Sequence, residues 1–154
     1  MKLVEAIPAH IEQIVEMLQA LTDAGKRTRP SDPEFVRDAY VANTDGIRTT
    51  LALDDDGRLL GIQVLSRARS DNPYGTPAGW GIIGTHVAPW AARRGVGRAL
   101  FDETLSAARA AGVPSLDAYI QTANAEGMGY YEAMGFRSWR TDGTATAKRF
   151  DLTG

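Results

Sequence analysis

The chain has 154 residues, with 17 Lys and Arg against 19 Asp and Glu, a net charge of −2, and 44% apolar residues. That size and balance predict one compact domain over 1–154 and offer no basic footprint for nucleic acid or an anionic membrane. With no Cys and only His10 and His86, disulfides, thiolate metal sites, a cysteine nucleophile and a histidine-rich metal site are excluded.

Lys2–Ala6 reads as a short strand, and Pro8 opens a helix in which Ile11, Ile14, Val15, Leu18 and Leu21 recur at helical spacing up to Gly25. Ser31-Asp-Pro-Glu34 reads as a capping box for a second helix to about Asn43. Thr49–Leu53 and Leu59–Leu65 flank the hairpin signal Asp54-Asp-Asp-Gly57, and Ser70–Gly79 is a turn-rich loop. Trp80–Val87 is the next strand, closed by Pro89. Gly97–Ala111 is an amphipathic helix with Leu100, Phe101, Leu105, Ala108 and Ala111 on one face. Leu116–Ile120 is a strand, Ala125–Met134 a helix stopped by Gly135, and Phe136–Arg140 with Ala145–Phe150 a closing hairpin. The order β-α-α-β-β-β-α-β-α-β-β predicts an α+β fold: a mixed sheet in which one crossover, Trp80 to Ile120, makes a parallel pair. No run approaches the ~20 apolar residues that span a bilayer, so a cytoplasmic protein is expected.

Chemistry concentrates between Pro89 and Leu100. Gly95 and Gly97 lie where a strand ends and a helix begins, so helix N–H groups point outward at an anion, with Arg93, Arg94 and Arg98 nearby. The run lacks G-x-x-x-x-G-K-[ST], and Gly95-Val-Gly97 is followed by Leu100 rather than by the third glycine of G-x-G-x-x-G. The bland reading is a tight turn before a surface helix.

Arg94-Gly-Val-Gly97-Arg-Ala99 resembles the R/Q-x-x-G-x-G/A motif of the GNAT-type N-acetyltransferases. Asn124-Ala-Glu-Gly-Met-Gly-Tyr-Tyr131-Glu-Ala-Met-Gly135-Phe136 is similar to that family's N-x-x-A-x-x-x-Y-E-x-x-G-F signature, with Gly127 where Ala is usual. Val87-Ala-Pro89 resembles the V-x-P that ends the fourth strand. The resemblance covers nearly the whole chain and is strongest from Trp80 to Phe136. It implies a sheet of about seven strands, mostly antiparallel, flanked by about four helices and splayed at one parallel pair around acetyl-CoA.

Residue by residue, the resemblance implies that Arg93, Arg94, Gly95, Val96, Gly97, Arg98 and Ala99 hold the pyrophosphate. Thr85, His86 and Val87 would pair with the pantetheine arm, Asn124 would bind that arm, and Tyr131 would protonate the leaving thiolate. The implied reaction is direct transfer of an acetyl group to a primary amine of a small molecule through a tetrahedral intermediate, without metal. A phenol of pKa ~10 is a usable donor to a thiolate of ~8.5. A homodimer is compatible with the family.

Each residue also has a structural reading. Tyr130 and Tyr131 adjoin on one helix, so at most one is expected to face the cofactor. Asn124 is equally a helix N-cap. Strand alternation puts Thr85, Ile83 and Gly81 on the face of Val87 and turns His86 away, toward a structural role. Asp117, Tyr119 and Asp71 stay open as the general base. The acceptor pocket of such folds is built by Thr22–Pro30, Ser70–Gly79 and Thr141–Thr144, which mix Lys26, Arg27 and Arg29 with Asp71 and Asp142. The alternatives are a peptide or protein N-terminal acetyltransferase, against which Tyr119 counts because such members carry Glu there, and a non-catalytic acyl-CoA sensor.

Overall fold

The computed structural model describes residues 1–91 and 95–152. Chain order is β1 (Lys2–Glu5), α1 (Ile11–Asp23), α2 (Pro33–Val36), β2 (Gly46–Leu53), β3 (Leu59–Arg67), β4 (Gly81–Val87), α3 (Val96–Ala111), β5 (Ser115–Gln121), α4 (Ala125–Met134), β6 (Arg137–Asp142) and β7 (Ala145–Asp151). This is the element order expected from the sequence.

Two local differences have clear causes. Pro8–His10 forms a 3-10 turn ahead of α1. In the second helix the cap is Asp32, not Ser31: the Asp32 carboxylate accepts from the Phe35 N–H at 3.2 Å, and Pro33 occupies the first helical position. The Ser31 hydroxyl instead donates to Gln19. After Val36 the helix relaxes into a π turn over Arg37–Val41, which turns Tyr40 into the core.

The seven strands form one sheet in the order β1-β2-β3-β4-β5-β7-β6, antiparallel except for β4 and β5. β4 pairs with β3 along its whole length, from Val87 opposite Gly61 to Gly81 opposite Arg67. β5 pairs with β7 equally fully. The parallel pair is different: it holds only at Gly81–Leu116 and Ile82–Asp117. Beyond that point β4 and β5 diverge. Gly81 sits at the vertex, where a Cβ would stand 2.8 Å from both Leu116 and Leu65, so only glycine lets the strands meet there.

The core follows this division. One apolar cluster joins α1, α2, β2 and β3 with Val96 and Leu100 of α3. The other joins Ile83, Leu116, Ala118 and Ile120 with Phe101, Tyr131 and Phe136. Helix α3 contributes to both, because Leu100 and Phe101 are adjacent on its buried stripe. No helix among the described residues is long and apolar enough to cross a membrane.

Candidate active site

The two faces of β4 carry different chemistry. On the α3 and α4 side, the Thr85 hydroxyl meets the Tyr131 hydroxyl at 2.9 Å. The Gln63 side-chain amide on β3 donates to both Thr85 Oγ1 and the Tyr130 hydroxyl, each at 2.9 Å. Tyr130 in turn donates to the Gly97 carbonyl at 2.7 Å. The result is one chain of polar groups, Tyr131–Thr85–Gln63–Tyr130–Gly97, running from α4 across the sheet to the first turn of α3. Both tyrosines serve this network, with ring centroids 5.0 Å apart. Consecutive helical side chains diverge by about 100°, but both phenols are long enough to converge on the Gln63–Thr85 pair.

Tyr131 is buried, and that burial pushes its phenol well above the ordinary tyrosine range, against the smaller opposing effect of the Thr85 hydrogen bond. Tyr130 is shifted the same way, by burial first, with Gln63 and Thr85 opposing.

At the α3 N-terminus, Gly95 adopts φ +73° and, among the described residues, no side chain caps the helix. The first intrahelical bond runs from the Ala99 N–H to the Gly95 carbonyl at 3.2 Å. The amides ahead of Ala99 therefore have no partner within the helix. Val96 packs into the core, and Arg98 is exposed with its guanidinium near the Ala133 carbonyl. Gly97 is required by contact rather than by φ: a Cβ there would lie 2.5 Å from the Tyr130 ring. Arg93 and Arg94 lie outside the described residues.

Asn124 caps α4, its side-chain oxygen accepting from the Gly127 N–H at 3.0 Å. The departure at Gly127 is coupled to this cap, since a Cβ at that position would stand 2.7 Å from the Asn124 amide nitrogen.

On the other face of β4, His86 points toward α1 and α2, as alternation predicts. Its Nε2 lies 3.3 Å from Arg27 Nη1, and its ring meets Tyr40 edge-on. Burial foremost, and then the charges of Arg27 and Arg29, push the imidazole pKa down to about 4. Among the open base candidates, Asp117 is fully buried, accepting from the Thr76 hydroxyl at 2.6 Å and from the Trp139 indole at 3.0 Å. That carboxylate anchors the Ser70–Gly79 loop and is closed to a substrate. The Tyr119 hydroxyl donates to Asp142, and Asp71 is exposed on the loop.

Gln63, absent from the sequence reading, and Arg27, named there only among the charges of the acceptor loop, are central here. Gln63 interrupts the apolar run Leu59–Leu65, and a lone polar residue at an inward position of a strand was the available signal. Arg27 carried no such signal, because loop arginines are ordinarily solvated.

The model of the acetyltransferase (GNAT) family matches residues 12–136. The chain belongs to that family. As a GNAT protein it is an acyltransferase, and solved structures share its fold. The GNAT domain of S. lividans PAT is 19% identical with a TM-score of 0.81, covering 97% of this chain and 89% of that one. A GCN5-related N-acetyltransferase from Kribbella flavida is 22% identical with a TM-score of 0.77, covering 98% and 97%. A phosphinothricin acetyltransferase from Sinorhizobium meliloti, solved with AcCoA, is 18% identical with a TM-score of 0.76, covering 99% and 88%. No curated protein matches the chain by sequence.

Proposed function

We propose that this GNAT protein moves the acetyl group of acetyl-CoA directly to a primary amine of a small molecule. The observation that carries the reading is the divergence of β4 from β5 after Ile82, directly beside the buried Tyr131 hydroxyl.

The residues present fit the co-substrate. The backbone edge of Ile83–Val87 that faces β5 has no strand opposite it, which suits an amide-bearing arm laid in as an added strand. The uncapped α3 N-terminus, with a glycine turn before it, suits a pyrophosphate. Acetyl-CoA supplies an acetyl group activated as a thioester.

In this reading the backbone of Thr85, His86 and Val87 orients the arm, and Gly95, Val96, Gly97, Arg98 and Ala99, with Arg93 and Arg94 before them, receive the phosphates. Asn124 adds a contact from the start of α4. Thr85 Oγ1 fixes the direction of the Tyr131 hydroxyl. Raised by burial, that phenol keeps its proton at every physiological pH and releases it only to a strong base formed beside it in the same dry space. A departing thiolate, near ~8.5 in water, becomes such a base only because the same desolvation that raises the phenol raises the thiol as well.

The test is release of free thiol from acetyl-CoA in the presence of a panel of small amines, for the native protein and for Tyr131→Phe. Turnover is expected to fall about 100-fold or more in the variant with acetyl-CoA affinity preserved. Full activity in Tyr131→Phe would remove the phenol from the mechanism. Silence of the native protein toward every small amine, with acetyl-CoA still bound, would discard the small-amine reading.

A further inference from the structure

The loop between α1 and α2 holds three cations, and they are treated very differently. Lys26 pairs with Glu126 at 3.2 Å. Arg27 is 7% exposed, yet among the described residues neither it nor Arg29 has a carboxylate within ion-pair distance. The Arg27 guanidinium donates to the Pro30 carbonyl at 2.8 Å and meets His86 Nε2 at 3.3 Å, with the Tyr40 hydroxyl beside it, all neutral groups, and among the described residues its buried Nε has no partner. Arg29 is exposed, and the two guanidiniums stand over the same Phe35 ring, 5.7 Å and 5.4 Å from its centroid.

A buried guanidinium without a counter-charge is costly, because desolvation is not offset by Coulomb attraction. His86 does not relieve the excess, being held neutral by burial first and then by the same two arginines. Folded alone, the protein thus presents a desolvated positive site one residue along β4 from Thr85, on the face opposite the Tyr131 hydroxyl. If the arm of the co-substrate lies between the splayed strands, this second face is the one from which an acceptor approaches.

We propose that Arg27, with Arg29 beside it, binds the oxyanion of an acceptor that carries both a primary amine and an acidic group, as an amino acid does. The inference rests on the acetyltransferase reading and narrows its substrate class. A planar, five-donor guanidinium suits a carboxylate, and Arg29 on the rim adds attraction at longer range. The same positive field disfavours an ammonium ion, so the amine end is held toward its uncharged, nucleophilic form.

The experiment is thiol release with L-amino acids against their own carboxamides, which keep the amine and lose the negative charge. The native protein is expected to prefer the acids by about 10-fold or more in kcat/KM. Arg27→Gln is expected to raise KM for the acids by about 10- to 100-fold, to raise it for the carboxamides clearly less so that the acid preference collapses, and to preserve acetyl-CoA affinity, with Arg27→Lys recovering part of the loss. Equal use of acids and carboxamides by the native protein overturns the inference alone and leaves the acetyltransferase reading intact. Loss of acetyl-CoA affinity in Arg27→Gln, with KM for the acids unchanged, assigns the anion to the co-substrate's phosphates and also overturns it. Silence toward both sets, with acetyl-CoA still bound, overturns the small-amine reading and this inference together. Should the Arg27 variants fail to fold, the acid-to-carboxamide ratio of the native protein still decides.

Discussion

His86 and Thr85 are neighbours in the chain and belong to different chemistries, and the difference is one of parity. Successive strand residues face opposite sides, so the separation of the Tyr131 contact from the Arg27 contact was legible in the sequence. What Arg27 does was not, because burial of a loop arginine depends on how Phe35 and Tyr40 pack over it. The depressed pKa of His86 gives this arrangement a measurable consequence. Between its ordinary 6.5 and its folded value of about 4, the unfolded chain binds a proton that the folded protein refuses. Stability present above pH 6.5 is therefore lost as pH falls toward 4, by at most about 3 kcal/mol from this group. Denaturant unfolding at pH 7.0 and pH 4.5, compared between the native protein and His86→Gln, isolates that contribution from the carboxylates that titrate in both. A smaller pH dependence is expected in the variant; identical dependence would mean that the ring is not held neutral by its surroundings.

At the scale of elements, α3 and α4 are joined by a contact that no periodicity announces. Helix α3 was legible from its apolar spacing and α4 from its Gly135 stop and its motif, and Gly97 was legible as a motif position. Beside the place in an anion cradle that the motif implies for Gly97, the structure shows the Tyr130 ring lying against its missing side chain. Such a close approach between segments more than thirty residues apart is a tertiary fact. It follows that even the smallest side chain is harmful here. Gly97→Ala is expected to destabilise the fold by about 1–3 kcal/mol through overpacking, despite the better helix propensity of alanine. The damage should depend on Tyr130. In the Tyr130→Leu background the added methyl should cost clearly less, and a double-mutant cycle by chemical denaturation should show coupling of about 1 kcal/mol or more. Additive effects would mean that the ring simply moves aside and that Gly97 serves only the backbone. The Ser70–Gly79 loop shows the same limit of local reading. Its turn residues were plain, but its anchoring was not: Asn72 accepts from the Tyr74 and Thr76 amides, Thr76 reaches Asp117, and Arg140 holds the Tyr74 carbonyl.

Across the whole molecule, the order of strands and the single parallel crossover followed from the succession of elements, while the place where that parallel pair ends did not. Pairing stops after Ile82 and Asp117 because β4 follows β3 and β5 follows β7, and the twist of each half carries them apart. The sheet is consequently two well-paired halves, β1–β4 and β5–β7, that meet through two residue pairs and through the helices packed beneath them. A ligand laid between β4 and β5 would restore strand pairing to both halves at once. Acetyl-CoA at 100 times its dissociation constant is therefore expected to stabilise the protein by about 2.7 kcal/mol, or about 5–10 °C in melting temperature. Its signature in amide hydrogen exchange should be specific, with protection gained along Ile83–Val87 and at the first turn of α3, and little change in β1 and β2. The contrast between those strands distinguishes a wedge from general tightening: a uniform gain across the sheet, or a gain confined to the Lys26–Pro30 loop, would place the co-substrate somewhere other than the divergence of the two halves.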